Sequence, residues 1–393
     1  MMKLLFTGGL LVALACTASG QTPMETNHSW LKGSVKSVRV ERSTISTKDG
    51  KSSEGPRVPA SEYTFDGKGR LIESLIRNYE GSPHFKYHAV YNDTGKAEET
   101  YHTPKGDLID KMVYSHGADG RLVEAIVEKS RALPKHKNVF AYDEKGRLTE
   151  SVRVGTKDTG ARVAYSYTDA ERSIEETLYD VKGAQTFRST LKYDGQWRLV
   201  QKELSLDTVS SDLAIFTFTY DSAGNIAEDA LRINGGVNRW RYEYEADSHN
   251  NWTKRTTLSL ANRNGTLRWD PVEATYRILT YGTEGNNVTG AYAADLGSIV
   301  GIMTTSSFLP GDAARREQPI FPDLAKRQLL TAKIDVYVLV DESGKVISAS
   351  AKQGKDLLKD AATLAAWNWK FYPSLAGGIA ARILGPVTFT FSR

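Results

Sequence analysis

Tyr142-Asp143-Glu144-Lys145-Gly146-Arg147-Leu148 is a phrase that the chain repeats, and the repetition sets its architecture. The phrase recurs as Phe65-Asp66-Gly67-Lys68-Gly69-Arg70-Leu71, as Tyr91-Asn92-Asp93-Thr94-Gly95-Lys96-Ala97 and as Tyr220-Asp221-Ser222-Ala223-Gly224-Asn225-Ile226. Looser copies begin at Tyr114, Tyr167, Tyr193 and Tyr244, so successive starts lie 23 to 28 residues apart. A fixed period of this size implies stacked structural units. Within each unit, Asp at the first turn position accepts hydrogen bonds from backbone amides two residues on. Gly at the fourth position tolerates positive φ, as a type I turn followed by a bulge requires. The structural turn residues are therefore Asp66, Gly69, Asp143, Gly146, Asp221 and Gly224. The turn closes an antiparallel hairpin and sets its register. Phe65 should face Leu71, Tyr142 Leu148, Tyr193 Leu199 and Tyr220 Ile226, each pair contributing about 0.2–1 kcal/mol.

Composition agrees with a β-rich globular chain. The 393 residues are 40% hydrophobic and 25% charged, with 19 Tyr and 33 Gly beside 12 Pro, which favours strands and turns over helices. The formal charge of +4 is mild and the acids and bases are interleaved. No concentrated basic stripe is available for phosphate backbones, so nucleic acid is excluded as a partner.

Lys3, the apolar run Leu4–Leu14 and the small residues Ala18-Ser19-Gly20 read as a secretory signal peptide over 1–20, cut before Gln21. It is too short to span a membrane, and no integral span is expected after its removal. The lone cysteine, Cys16, follows Ala13-Leu14-Ala15 and leaves open a minor reading as a lipidated cysteine. On either reading the mature chain has no disulfide, and its stability rests on core and sheet pairing. The expected location is the periplasm or the outer membrane.

Residues 21–62 hold a first strand, Trp30 to Val40, suited to cap the array, then a Ser-, Lys-, Gly- and Pro-rich excursion over 41–61. Hairpin units run over 63–281. Here the chain resembles the YD (RHS-type) repeat family, whose phrase is Tyr-Asp-x-x-Gly-Arg-Leu. Departures occur where Trp197 takes the turn-glycine position after Asp194 and where the copy at Tyr167 lacks Gly. Full RHS proteins wind many more copies into a closed shell. About eight copies predict an extended, twisted, curved antiparallel sheet, with no encapsulated cargo carried over.

Residues 282–318 are rich in Gly, Asn, Thr, Ala and Ser and read as a linker; its apolar run Leu296–Met303 is too short to span a membrane. From 319 to 393 the grammar changes. Alternating Ile334, Val336, Val338 and Val340 lead into the turn Asp341-Glu342-Ser343-Gly344, and a second strand starts at Val346. A helix capped by Asp356 carries Leu357, Leu358, Ala361, Leu364 and Ala365. Trp367, Trp369 and Phe371 follow as core residues, then Pro373 and a last strand to Phe391. This β-β-α-β order resembles the C-terminal domain of TonB, on Phe321-Pro322, Val336 to Gly344, and Trp369-Lys370-Phe371-Tyr372-Pro373. The resemblance implies a small α+β domain whose last sheet edge accepts an extended peptide by strand addition. The matching stretch is Ala380 to Phe391, with Arg382, Leu384, Val387, Phe389 and Phe391 as the candidate edge. These residues also suit a purely internal role in completing the domain's own sheet. A full transducer needs an uncleaved membrane anchor and a Pro-rich spacer, and 63–281 is not such a spacer.

Catalytic and metal signatures are missing from the sequence. His84 and His88, on one strand, would lie about 13 Å apart, too far to share a metal. Glu98-Glu99 and Glu175-Glu176 are strand neighbours pointing to opposite faces. There is no Gly-x-Ser-x-Gly elbow, phosphate loop or His-Glu-x-x-His. The expectation is an exported, non-enzymatic binding or scaffolding protein without cofactor. Its partner would be a strand of an outer-membrane receptor or other envelope protein. Two rivals stand: a surface glycan binder using the tyrosine rows, and a hydrolase with an unrecognised site.

Overall fold

The computed structural model describes residues 31–48, 50–130, 134–155, 159–205, 213–282, 303–304, 313–352 and 354–392. The signal peptide, Cys16 and most of the 282–318 linker lie outside the described residues.

The repeated phrase makes the hairpin it predicts. At the first copy the Lys68 and Arg70 amides donate to Asp66 Oδ1 at 2.8 and 2.9 Å, and Gly69 sits at φ 74°. Register shifts place Phe65 opposite Leu71, Tyr142 opposite Leu148, Tyr193 opposite Leu199 and Tyr220 opposite Ile226. Arg70 and Arg147 close back on Asp66 and Asp143 at 2.7 and 2.8 Å. Trp197 takes the glycine position at φ 60°, a left-handed conformation that side chains seldom adopt.

A second device ties five of the units to the one before. The repeat tyrosine donates its hydroxyl to the carbonyl of the preceding unit's apolar residue: Tyr91 to Leu71, Tyr142 to Leu122, Tyr167 to Leu148, Tyr220 to Leu199 and Tyr244 to Ile226, at 2.7–3.0 Å. The repeat arginine in turn lies over the next tyrosine ring, Arg70 on Tyr91, Arg147 on Tyr167 and Arg198 on Tyr220, at 4.4–4.5 Å from the centroid. Tyr and Arg recur because one unit reads the next.

The sheet is not open. Val35–Lys48 pairs antiparallel with Val58–Phe65 on one side and with Thr266–Tyr281 on the other. The ends of the meander are thereby joined into a closed eighteen-strand barrel, which corrects the expectation of an extended open sheet. Closure removes the unpaired edges that an open array of this length would present. The stretch 41–61, read as an excursion, is instead built from the end of that first strand, the short strand Lys51–Glu54 and the start of Val58–Phe65. Because the chain meanders, the described repeat turns fall at one rim of the barrel and the described return turns at the other.

Side chains alternate across the wall. In Pro83–Asn92, Phe85, Tyr87 and Ala89 are buried, whereas Lys86, His88 and Val90 are exposed. The outer surface carries cross-strand ion pairs such as Lys111–Glu98, Lys137–Glu124, Arg162–Glu150 and Arg241–Glu228, at 2.6–2.8 Å.

The C-terminal domain has the expected β-β-α-β order: Ala332–Val340, Val346–Ala351, the helix Asp356–Trp367 and Ile383–Phe391. Ala332–Val340 is central, between Val346–Ala351 and Ile383–Phe391. The helix buries Leu358, Ala362, Ala365 and Ala366 against the sheet, so small alanines form its contact face. Leu357, Leu364 and Trp367 are exposed, which corrects the reading of Trp367 as core; Trp369 is the buried member of that pair. Asp356 is the first helical residue, and the cap position is Lys355, without a side-chain cap. The turn Asp341–Gly344 repeats the barrel's turn chemistry, with the Ser343 and Lys345 amides on Asp341 Oδ1. A Cβ on Gly344 would overlap the Phe371 carbonyl.

Candidate functional site

The last strand begins inside the barrel and ends outside it, and its residues divide accordingly. Val387, Phe389 and Phe391 join Val336, Val338 and Val340 in the core under the helix. Leu384 faces the other way. With Tyr337, Leu339 and Ile347 it packs on the barrel's Phe216, Leu231, Trp240 and Tyr242. One face of the small sheet is therefore buried by its own helix, and the other is buried by the barrel wall around Tyr337, Leu339 and Leu384, while Lys333, Asp335, Thr388 and Thr390 leave its far end exposed. Eighteen strands enclose more space than wall side chains alone can fill, and this domain supplies the missing core.

Arg382, expected on the partner edge, is instead the anchor of this seat. Its guanidinium donates to Asp229 Oδ2 at 2.7 Å and to Tyr242 Oη at 2.9 Å, while the Tyr242 hydroxyl donates to Asp229 Oδ1 at 2.7 Å. Side-chain exposure is 5% for Arg382 and 0% for Asp229, so the pair is cut off from water. Burial works against the arginine's charge, yet Tyr242, Asp229 and Glu342 together hold its pKa well above the usual range. The same burial pushes the Asp229 carboxyl up against the pull of Arg382.

Beside the anchor, the hairpin Ser374–Ala376/Ile379–Ala381 reaches into the other half of the barrel. Leu375 enters the core built by Ile76, Phe85, Tyr87 and Tyr101. Ser74 Oγ donates to the Gly378 carbonyl at 2.5 Å. Gly378 has φ 81° and lies so close to the Tyr87 ring that a Cβ would overlap it. At the return-turn rim, Asn238 Nδ2 donates to Ser348 Oγ at 2.9 Å and Asn234 Nδ2 to Ser350 Oγ at 3.2 Å. His84 stacks on Tyr372 at 4.3 Å and 3°. Burial lowers the His84 pKa to about 4.

The outer edge of Ile383–Phe391 is the part of this arrangement left to meet another chain. Met303–Thr304 pairs with it in parallel, and only at Ile383 and Leu384. From Gly385 to Phe391 no strand among the described residues covers that edge. Thr388 and Thr390 are exposed there, between the buried Val387, Phe389 and Phe391. The remaining sequence candidates, Asp66, Gly69, Asp143, Gly146, Asp221 and Gly224, are scattered around the repeat-turn rim as turn residues. No group of histidine, cysteine and acidic residues able to hold a metal occurs among the described residues.

Residues 317–392 match the family of the Gram-negative bacterial TonB protein C-terminal domain. A search of curated proteins finds no match. A porin-like protein from Bacteroides uniformis is similar at 10% identity, over 64% of this chain and 99% of its own, with a TM-score of 0.33. A LolA superfamily protein from Nitrosomonas europaea is similar at 10% identity, over 71% of this chain and 96% of its own, with a TM-score of 0.15. The crystal structure titled TcdB2-TccC3-Cdc42 is similar at 10% identity, over 52% of this chain and 16% of its own, with a TM-score of 0.17. Likenesses this weak carry no argument. None of these comparisons places residues 63–281 in the YD repeat family.

Proposed function

We propose that the protein is a binding and scaffolding component of the cell envelope, associated with TonB-type transport. Its C-terminal domain pairs, through the edge of its last strand, with an extended segment of an outer-membrane or periplasmic partner. One observation carries this reading: in a domain matching the TonB C-terminal family, the edge over Gly385–Phe391 is uncovered among the described residues. Exposed backbone donors and acceptors on such an edge recruit an added strand. The barrel holds the domain in place through Arg382.

A photo-cross-linking amino acid at Thr388 or Thr390, in the full chain expressed in Gram-negative cells, tests this. Cross-links to an envelope protein from both positions, and none from Val90 on the barrel wall, are expected. Identical cross-linking from all three positions, or none from the two threonines, would reject strand addition at this edge.

A further inference from the structure

We infer that one corner of the outer barrel wall docks on an anionic phospholipid surface. The corner lies at the return-turn rim, where Ile226–Ile233, Gly236–Ala246, Trp252–Arg263 and Thr266–Tyr281 run side by side. It shares no residue with the strand edge over Gly385–Phe391. Trp240 and Tyr242 face inward onto the C-terminal domain, so Val237, Arg239 and Arg241 face out. Pairing carries that outer face sideways. Arg241 stands opposite Leu258, and Leu258, Leu260 and Asn262 stand opposite Pro271, Trp269 and Leu267. Leu267 is 65% exposed and Val237 56%, with Leu258, Leu260 and Trp269 half-buried between them. The other outward aromatic of the last barrel strand, Tyr276, is covered by the chain itself. Its hydroxyl donates to Glu54 at 2.6 Å, and Arg57 lies 3.5 Å from its ring centroid. The apolar face around Trp269 has no comparable cover from Leu267 or Val237, and such patches mark interaction sites.

Charge and shape decide what the face meets. On the adjoining strand Arg232 stands opposite Val237, Ala230 opposite Arg239 and Glu228 opposite Arg241. Glu228 is the one acid among these positions, and it accepts from both Arg239 at 2.9 Å and Arg241 at 2.6 Å. Three guanidiniums therefore share one carboxylate, whereas pairs elsewhere on the wall, such as Lys137–Glu124, match one for one. Arg241 and Arg239 lie over the Trp269 ring at 4.3 and 5.9 Å from its centroid. Cation and aromatic are thus presented together, beside exposed aliphatic tips. Arginines attract anionic headgroups, and an interfacial tryptophan with leucine and valine enters the boundary between headgroups and acyl chains. The outside of a closed barrel is convex, so this corner offers no concave pocket for a small ligand. A convex, cationic and apolar corner suits the soft plane of a bilayer.

The full chain carrying Cys16→Ser, purified from Gram-negative cells, tests this by co-sedimentation with vesicles. Binding to mixed phosphatidylglycerol–phosphatidylcholine vesicles should exceed binding to pure phosphatidylcholine vesicles by about tenfold or more. Arg232→Gln/Arg239→Gln should remove most of that excess. Lys111→Gln/Lys137→Gln, which lowers the net charge equally on another part of the wall, should leave it in place. Leu267→Ser/Trp269→Ser should weaken binding to the anionic vesicles by about tenfold or more. A further measurement uses single-cysteine chains, Leu267→Cys and Val90→Cys in the Cys16→Ser background, each labelled with the environment-sensitive dye NBD. On anionic vesicles the label at 267 should shift to the blue and the label at 90 should not. Equal losses in the arginine and lysine variants would overturn the inference, as would an unshifted label at 267 on sedimented chain. Sedimentation with neither kind of vesicle would also overturn it. Capture by soluble polyglutamate without vesicle binding would assign the face to an acidic protein and reject the lipid surface.

Discussion

Replacing Asp229 by leucine leaves Arg382 charged and buried with its main counter-ion gone. The pair is closed at 2.7 Å with 0% and 5% side-chain exposure, so water cannot take the carboxylate's place without opening the seat. Removing one partner of a buried pair costs about 3–5 kcal/mol. Arg382 keeps Tyr242 at 2.9 Å and Glu342 at 3.4 Å, which puts the expected loss near the low end, about 3 kcal/mol. Arg382→Met should cost a similar amount, because Asp229 would then be buried with only Tyr242. The double variant, Asp229→Leu with Arg382→Met, replaces both charges with apolar groups and should recover at least about 2 kcal/mol of the summed losses. Urea unfolding followed by tryptophan fluorescence reads all four corners of this cycle, since Trp240 lies beside Arg382. Single losses below about 1 kcal/mol, or strictly additive ones, would refute the claim that this pair seats the domain in the barrel.

Three further outcomes are expected. Gly378→Ala forces a Cβ into the Tyr87 ring at a φ of 81° and should cost about 2 kcal/mol or more in the same unfolding measurement. Tyr220→Phe removes the 2.7 Å hydroxyl bond to the Leu199 carbonyl and should cost about 1 kcal/mol, with the ladder otherwise intact. His84, with a folded pKa of about 4 against about 6.5 unfolded, favours the folded state only while neutral. Stability should therefore be full above about pH 6.5 and fall as pH drops toward 4, by about 2 kcal/mol between pH 7 and 5. In His84→Phe, that part of the acid sensitivity should vanish.

Local chemistry was legible residue by residue. Asp66, Gly69 and Arg70 announce a turn, and the turn fixes which aromatic meets which leucine six residues on. The β-β-α-β domain was equally plain from alternating valines, one helix and its tryptophans. Both are short-range rules in which sequence neighbours are spatial neighbours. Closure was not legible, because it depends on Val35–Lys48 meeting Thr266–Tyr281, more than two hundred residues away. Nothing in a single strand's alternation says which strand will be its far neighbour. The docking of the two parts left one readable trace. Asp229 sits on the same strand face as Ile226, Leu231 and Ile233, and a carboxylate there demands a buried partner. The matching trace is Arg382, an arginine opening an apolar strand, which the sequence reading placed on the candidate partner-strand edge. Ser74 and Tyr87 carried no comparable signal, since their roles toward the 374–381 hairpin exist only once that hairpin is inside the barrel.

The C-terminal domain is seated in its own closed barrel, and the edge of its last strand over Gly385–Phe391 is uncovered among the described residues. Asn238 and Ser348, one from each part, touch at 2.9 Å. In a chain carrying Cys16→Ser, Asn238→Cys and Ser348→Cys, a short bis-maleimide should join the two thiols within one chain. The product should be a monomer in which a peptide of the barrel is linked to a peptide of the last eighty or so residues. Modification of both cysteines without any intrachain link would contradict the account.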